Sequence, residues 1–587
     1  MIRILKRLCG IEWLLIGISI VFIATQVWLD LELPGYMAEI TTLVQTPGSA
    51  MSAVWRAGFY MLLCALGSVL AAVVVGLIAA RVSASFSMRL RSNLFDKVLS
   101  FSMQEISKFS TASLITRSTN DVNQIRMLLG MGLIVVVRAP MLAVWAITKI
   151  AGKSWQWTAA TAATVVMLII VAAFIMTVAV PRFRRIQTLT DNLNRVTREH
   201  LTGLRVVRAY NAEAFASAKF ETANTELTDV NLFVSRIMAV IGPAMSLMMG
   251  GLTLSIYWLG ASLINAAGLM ERLPLFSDMV VFSAYAMQVV MAFMMMTMLF
   301  IILPRASVSA KRINDVMETQ ATILGGGITA SSTGLRGTVE FRNVSFKYPG
   351  ADEYVLKDIS FEVKQGQSVA VIGSTGSGKS TLINLVARFH DATEGEVLVD
   401  GVNVKDYTLR ALRDKLGYVP QKAVLLSGTV AENVAFGEGG QGITSEADVI
   451  SAVEVAQAAD FVEQMEQGYQ ANIAQGGANV SGGQKQRLAI ARAIARKPEI
   501  FIFDDSFSAL DYRTDRRLRE ALALKAPDAT QLIVGQRIGT IRDADTIVVL
   551  EQGRLVGAGT HDELLKTCEV YQEIAYSQLS KEELTHG

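Results

Sequence analysis

With 587 residues, 51% hydrophobic content and a mean hydropathy of +0.39, the chain is more apolar than an ordinary soluble protein, and a net charge of +2 offers no global field for nucleic acid. Cys9, Cys64 and Cys568 share no C-x-x-C spacing and read as inert thiols, and the four histidines have no ligand spacing. A disulfide framework, a zinc site and a metal centre of the protein's own are thereby set aside.

Arg3, Lys6 and Arg7 precede an apolar run over 11–29, too long for a signal-peptide core, which reads as a first membrane helix. Further runs cover 54–80, 133–150, 157–180, 241–264 and 279–303. Each approaches the ~20 residues that a bilayer core requires. Basic residues gather after the second, fourth and sixth runs (Arg81, Arg89, Arg91; Arg182, Arg184, Arg185; Arg305, Lys311, Arg312), whereas the first loop carries Glu32 and Glu39. The positive-inside rule then places both termini in the cytoplasm. The long intervals 81–128 and 182–238 are polar but keep helical periodicity, so the helices are expected to continue beyond the bilayer.

Two details concern the membrane half. Met287, Met291, Met294 and Met298 mark one face of the sixth span, with Met295 beside them. Ordinary packing accounts for such a stripe first, and a cavity for varied ligands second. Arg138 lies near the start of the third run, and snorkelling to the interface is the favoured reading.

A Gly-, Ser- and Thr-rich linker over 322–336 leads to strands expected near 338–347, 367–372, 500–503, 531–534 and 546–550. Between the second of these and a helix over 381–389 stands Gly373-Ser374-Thr375-Gly376-Ser377-Gly378-Lys379-Ser380, which matches the phosphate-loop pattern at every fixed position. Its glycines let backbone N–H groups turn towards phosphate oxygens, and the helix start adds its positive end. Lys379 would reach the β- and γ-phosphates of a nucleotide, and the Ser380 hydroxyl would complete a Mg²⁺ shell, with Thr381 following in the same turn. The strand Ile500-Phe501-Ile502-Phe503 ends in Asp504, a carboxylate placed to hold Mg²⁺ through water. Ser481-Gly482-Gly483-Gln484 opens a helix and forms a second anion-binding end.

Phosphate loop, S-G-G-Q signature and Asp504, at this spacing, make the chain resemble the ATP-binding cassette transporters over essentially its whole length. The resemblance is to exporters with six membrane helices fused ahead of one cassette. It implies an all-α six-helix transmembrane domain of the exporter type over 1–320, a linker over 321–336, and an α/β P-loop ATP-binding cassette over 337–587. It also implies that Tyr348 stacks on adenine, that Gln421 links Mg²⁺ to the membrane domain, and that Ser508-Ala509-Leu510-Asp511 senses the second cassette. The segment Gly476-Gly477-Ala478-Asn479 and the loops 112–117 and 209–220 would carry contacts between cassette and membrane domain.

Two positions depart from the family pattern. Asp505 stands where a glutamate usually polarises the attacking water, which draws the carboxylate back by roughly 1–1.5 Å. Gln536 stands where a histidine is usual and cannot carry positive charge. Apart from Val480 in place of leucine, the signature is intact. The expectation is therefore one half of a heterodimeric, ATP- and Mg²⁺-using exporter in the cell membrane, moving lipophilic small molecules, with a slow site of its own and no nucleic-acid partner. A homodimer, a defined lipid, peptide or metal-chelate cargo, and a mainly regulatory half are the alternatives.

Overall fold

The computed structural model describes all residues except Pro47, Gly152, Leu269, Ser332, 438–443 and 579–587, and the side chains of Met176, Ala179, Val180, Arg184, Met298, Phe300 and Ile301 also lie outside the described residues. The chain divides into two compact units, one of Met1–Leu99 with Ala112–Glu318, the other of Ser100–Thr111 with Thr319–Gly587.

In the first unit, six of the described helices are long and apolar enough to cross a bilayer. They are α1 (Gly10–Gln45), α2 (Met51–Leu99), α3 (Thr111–Ile150), α4 (Trp155–Thr202), α5 (Glu213–Ala266) and α6 (Arg272–Glu318). All six are longer than the ~20 residues of a span, and α2 to α5 run on through the polar intervals, as the periodicity there predicts. The core joins Ile23, Val27 and Leu31 of α1 to Leu142, Ala146 and Ile150 of α3 and to Phe282, Tyr285 and Val289 of α6. Burial is uneven. The most apolar stretch of α1 is 33% buried, but those of α4 and α5 are only 11% and 6% buried. Along the methionine stripe of α6, Met291 is exposed while Met287 and Met294 are half-buried, and Met294 packs against the core.

Arg138 has an ion-pair partner within the helix bundle. Its guanidinium pairs with Asp30 of α1 at 3.0 Å, and Ser68 of α2 donates to the other Asp30 oxygen at 2.5 Å. A carboxylate from a neighbouring helix compensates the charge where it lies, so there is no drive to reach the interface. The carboxylate was hidden from a reading of α3 alone because Asp30 lies 108 residues earlier in the chain. Asp30→Asn should lower the thermal midpoint of the detergent-solubilised protein by the equivalent of about 1–2 kcal/mol, at the low end for a broken ion pair because Arg138 keeps some exposure. The double change Asp30→Asn with Arg138→Gln should recover most of that loss. Equal midpoints for wild type and Asp30→Asn would remove the ion pair from the account.

The second unit is built on a six-stranded sheet in the order β12-β11-β3-β10-β9-β6. Its strands are β3 (Ser368–Gly373), β6 (Leu416–Val419), β9 (Ile500–Asp504), β10 (Thr530–Val534), β11 (Thr546–Glu551) and β12 (Arg554–Gly559). All pair in parallel except β12, the antiparallel edge. A four-stranded antiparallel sheet, β2-β1-β4-β5, combines β1 (Val339–Phe346), β2 (Leu356–Val363), β4 (Glu394–Val399) and β5 (Val402–Asn403), and a small pair joins β7 (Gly428–Thr429) to β8 (Asn472–Ile473). Between the two large sheets lies α7 (Lys379–Val386), whose Leu382, Ile383 and Val386 share one core with Phe341, Val371 and Ile502.

Register positions the site. Val534 pairs with Val371 on one side and Asp504 on the other, and Val419 pairs with Phe503. The carboxyl ends of β3, β6, β9 and β10 therefore meet at one edge, where α/β sheets bind ligands. The segment Ser100–Thr111, from the polar interval after the second span, belongs to this unit, whereas 112–117 stays with the membrane helices. It is fastened by Glu105, a buried carboxylate that accepts from the Ser102 N–H and the Thr322 hydroxyl, each at 2.9 Å.

Candidate nucleotide site

The phosphate loop runs from the end of β3 into α7 with Gly378 as N-cap in a left-handed conformation, φ +98°. A Cβ there would stand 2.7 Å from Leu356 Cδ2 and 3.1 Å from the Val355 carbonyl, so the turn requires glycine twice over. Inside the loop the Lys379 ammonium donates to the carbonyls of Gly373 at 2.9 Å and Ser374 at 2.8 Å. Burial pulls its pKa down, opposed by the charges of Asp505 and Asp504. The Ser377 hydroxyl is buried and has no hydrogen-bond partner among the described residues. A buried hydroxyl without a partner is costly, and phosphate oxygens are strong acceptors for it and for the loop N–H groups. The residues present fit a nucleoside triphosphate.

They also fit its metal. Ser380 Oγ donates to Asp504 Oδ1 at 2.7 Å, so a hydroxyl and a buried carboxylate already converge at the end of β9. Such hard oxygen donors, few in number and beside a phosphate site, suit Mg²⁺ that completes its shell with phosphate and water.

Asp505 adopts φ +47°, with its N–H bonded to the Val534 carbonyl at 3.0 Å and its carbonyl accepting from Ser508 Oγ at 2.8 Å. That backbone strain is held by neighbours on both sides. One carboxylate oxygen, Oδ2, accepts from the Gln536 amide at 2.8 Å and the Gln421 amide at 3.2 Å. Three positions far apart in sequence thus form one hydrogen-bonded group. Burial raises both Asp504 and Asp505 above their ordinary value of 3.8; hydrogen bonds from Ser380 and Gln421 and the Lys379 ammonium oppose it, and the charge of Asp505 raises Asp504 further. As pH falls, the ionised forms are lost early. Mg²⁺-dependent ATP affinity should therefore decline at a pH above 3.8, and Asp505→Asn should move that limb to lower pH. A limb that stays in place after the substitution would show that the two carboxyls do not interact.

Tyr348 stands beside the same helix, its hydroxyl 3.0 Å from Thr381 Oγ1 and its ring edge-on to Phe346 and His390, with centroids at 5.0 and 5.3 Å. It borders a cavity of about 500 Å³ that Gln104, Thr322, Lys347 and His390 also line. Gln104 and His390 escaped sequence reasoning because no motif contains them.

The signature is built differently. Ser481 caps α8 (Gly482–Ala495), its N–H bonded to Gln484 Oε1 at 2.8 Å and its hydroxyl accepting from the Gln484 N–H at 3.3 Å. The reciprocal pair fixes the helix start, while Ser481 and Gly482 remain exposed. Gln486 on the buried side donates to the Pro420 carbonyl at 3.3 Å and ties this helix to the turn of Gln421. The structure therefore assembles Gly373–Thr381, Gln421, Asp504, Asp505 and Gln536 at one edge, with Tyr348 beside them. Among the described residues no hydrogen bond links 481–484 to 373–380.

The chain matches the family described as ABC transporter transmembrane region over residues 16–293 and the family described as ABC transporter over 356–508. It belongs to the ABC transporter family. An uncharacterised ABC transporter ATP-binding protein of Mycobacterium tuberculosis is 40% identical over 557 residues, covering 94% of this chain and 93% of its own length. One from Bacillus subtilis is 34% identical, covering 97% of each chain, and an ATP-dependent lipid A-core flippase of Pseudomonas fluorescens is 33% identical, covering 83% of this chain and 79% of its own. The solved structure of a bacterial Atm1-family ABC exporter with ATP bound superposes with a TM-score of 0.77 at 25% identity, covering 96% of this chain and 99% of that one. The protein is thus an ABC exporter half-transporter, with a helical transmembrane domain and an α/β ATPase domain in a multi-pass membrane chain.

Proposed function

We propose that this half-transporter pairs with a different half-transporter and, within that pair, holds ATP and Mg²⁺ at a slowly hydrolysing site while lending its signature to the partner's faster one. The observation that carries the proposal is the state of Asp505. Its carboxylate is one methylene shorter than a glutamate and is already engaged by two glutamine amides. A misplacement near 1 Å in a group that must meet the attacking water costs on the order of 10²-fold. Loss of a charge-stabilising donor, here the absent histidine at Gln536, costs about 10²–10³-fold, and the two effects act on one event and do not add.

Pairing itself is supported by two exposed features. The apolar stretches of α4 and α5 are only 11% and 6% buried within this chain. The start of α8 presents exposed Ser481 and Gly482, and among the described residues no hydrogen bond joins it to the phosphate loop of this chain. A second half-transporter supplies both a surface for the helices and a nucleotide for the signature.

For cargo, the reading is lipophilic small molecules, with the half-exposed methionines of α6 offering an adaptable apolar surface. The flippase name among the relatives favours a second reading, a defined lipid. Basic residues after the second, fourth and sixth spans support cytoplasmic termini in the cell membrane. The test is site-resolved hydrolysis in the assembled pair, slow at 373–380 of this chain and fast at the partner.

A further inference from the structure

After β10 ends at Val534, the chain turns through Gln536 into a short helix, Ile538–Ile541. Two backbone groups in this turn, the Gln536 carbonyl and the Ile538 N–H, need partners outside the sheet and helix ladders. One side chain serves both. The Gln578 amide donates to the Gln536 carbonyl at 2.7 Å, and its Oε1 accepts from the Ile538 N–H at 2.9 Å.

Gln578 lies in α10 (Glu569–Gln578), and α9 is Tyr512–Lys525. The helix is itself anchored. Tyr571 and Ala575 are buried in a cluster with Ala370, Ile372, Ile538 and Ile541, and the Tyr571 hydroxyl lies 2.6 Å from His561 Nδ1. Packing thus holds α10 against β3 and the short helix, and the Gln578 side chain bridges the turn in two places. On the other side of that turn, the Gln536 amide reaches Asp505.

We infer that Gln578 is a positioning residue for the nucleotide site, setting where Gln536 can place its amide, so that the C-terminal helix controls the phosphate-facing end of the catalytic edge. The inference deepens the reading of Gln536 given above and rests on Gln536 facing the terminal phosphate. The two hydrogen bonds hold two successive peptide groups, Gln536–Arg537 through the Gln536 carbonyl and Arg537–Ile538 through the Ile538 N–H, and so fix the position and tilt of the turn that carries Gln536. A near-attack geometry depends on that tilt.

The experiment uses the full-length chain assembled with its partner half-transporter and follows single-turnover conversion of ATP bound at 373–380, alongside affinity for a non-hydrolysable ATP analogue. Gln578→Ala should slow conversion by about three- to tenfold, the scale of one or two modest hydrogen bonds, and leave affinity unchanged. Gln578→Glu keeps the acceptor for Ile538 but loses the donor to Gln536, and should fall between wild type and Gln578→Ala. In a Gln536→Ala background, Gln578→Ala should have no further effect on conversion, because a merely structural role would slow both backgrounds alike. Equal slowing in both backgrounds, equal loss of rate and affinity, or a wild-type rate in Gln578→Ala would overturn the inference. A fast native site would count against the slow-site reading, yet the two-background comparison would still report whether Gln578 acts through Gln536.

Discussion

Asp505→Glu combined with Gln536→His should accelerate ATP conversion at this chain's own phosphate loop by about 10²-fold, the cost assigned to a misplaced general base. The glutamate carries its carboxylate outwards past the point where the Gln536 and Gln421 amides, at 2.8 and 3.2 Å, now hold Asp505 Oδ2. The histidine replaces an amide donor by a group able to carry positive charge where charge develops. Each single change should recover less than the pair, and the effects should not multiply, since both residues act on the same step. Single-turnover hydrolysis with radiolabelled ATP reads the outcome. Unchanged conversion in the double variant would mean that neither position limits the site.

The second large effect is expected at the signature. Gly482→Asp should cut ATP turnover of the assembled pair by more than about 10²-fold while ATP binding at 373–380 stays as it was. A Cβ at Gly482 meets nothing within 4 Å, so the substitution fits without repacking. An aspartate in the first turn stabilises a helix by about 0.3–1 kcal/mol through the dipole, which keeps folding out of the explanation. What it spoils is the use of that helix start by an incoming phosphate, because a carboxylate then faces the anion. The loss should appear at the partner's nucleotide, as the exposure of Ser481 and Gly482 in this chain implies. Turnover comparable to wild type would show that the signature of this chain completes no site.

Much of this was legible in the sequence where chemistry and chain order coincide. The phosphate loop is contiguous, and its glycines, Lys379 and Ser380 announce their roles by spacing alone. The strand ending in Asp504 is apolar on both faces, as its full burial requires, and so was readable without its neighbours. The strands β2 and β4 were not anticipated. β2 alternates only from Ile359 to Val363 and β4 runs from three polar or small residues into Val-Leu-Val, so neither pattern is regular over its length, and the place of both depends on pairing with β1.

Contacts made across long stretches of sequence stayed hidden. Asp30 and Arg138 neutralise each other from different helices, and in the sequence Arg138 alone reads as an isolated charge. Gln421, Asp505 and Gln536 converge only because β6, β9 and β10 end at one edge in register. Gln578 belongs to no motif at all, and only the fold brings it to the turn of Gln536. Likewise, nothing in the periodicity of 81–128 distinguishes Ser100–Thr111, which joins the second unit through Glu105 and Thr322.

The central claim is unequal chemistry at two sites, and vanadate trapping in the assembled pair addresses it most directly. With ATP, Mg²⁺ and vanadate, a site that has hydrolysed its nucleotide retains ADP, and a site that has not retains ATP. Photolabelling with an azido nucleotide followed by separation of the two chains assigns each product to its phosphate loop. The account predicts ADP and vanadate at the partner's loop and unhydrolysed ATP at 373–380 of this chain. Equal trapping of ADP on both chains would contradict it and make Asp505 and Gln536 competent members of an ordinary catalytic pair.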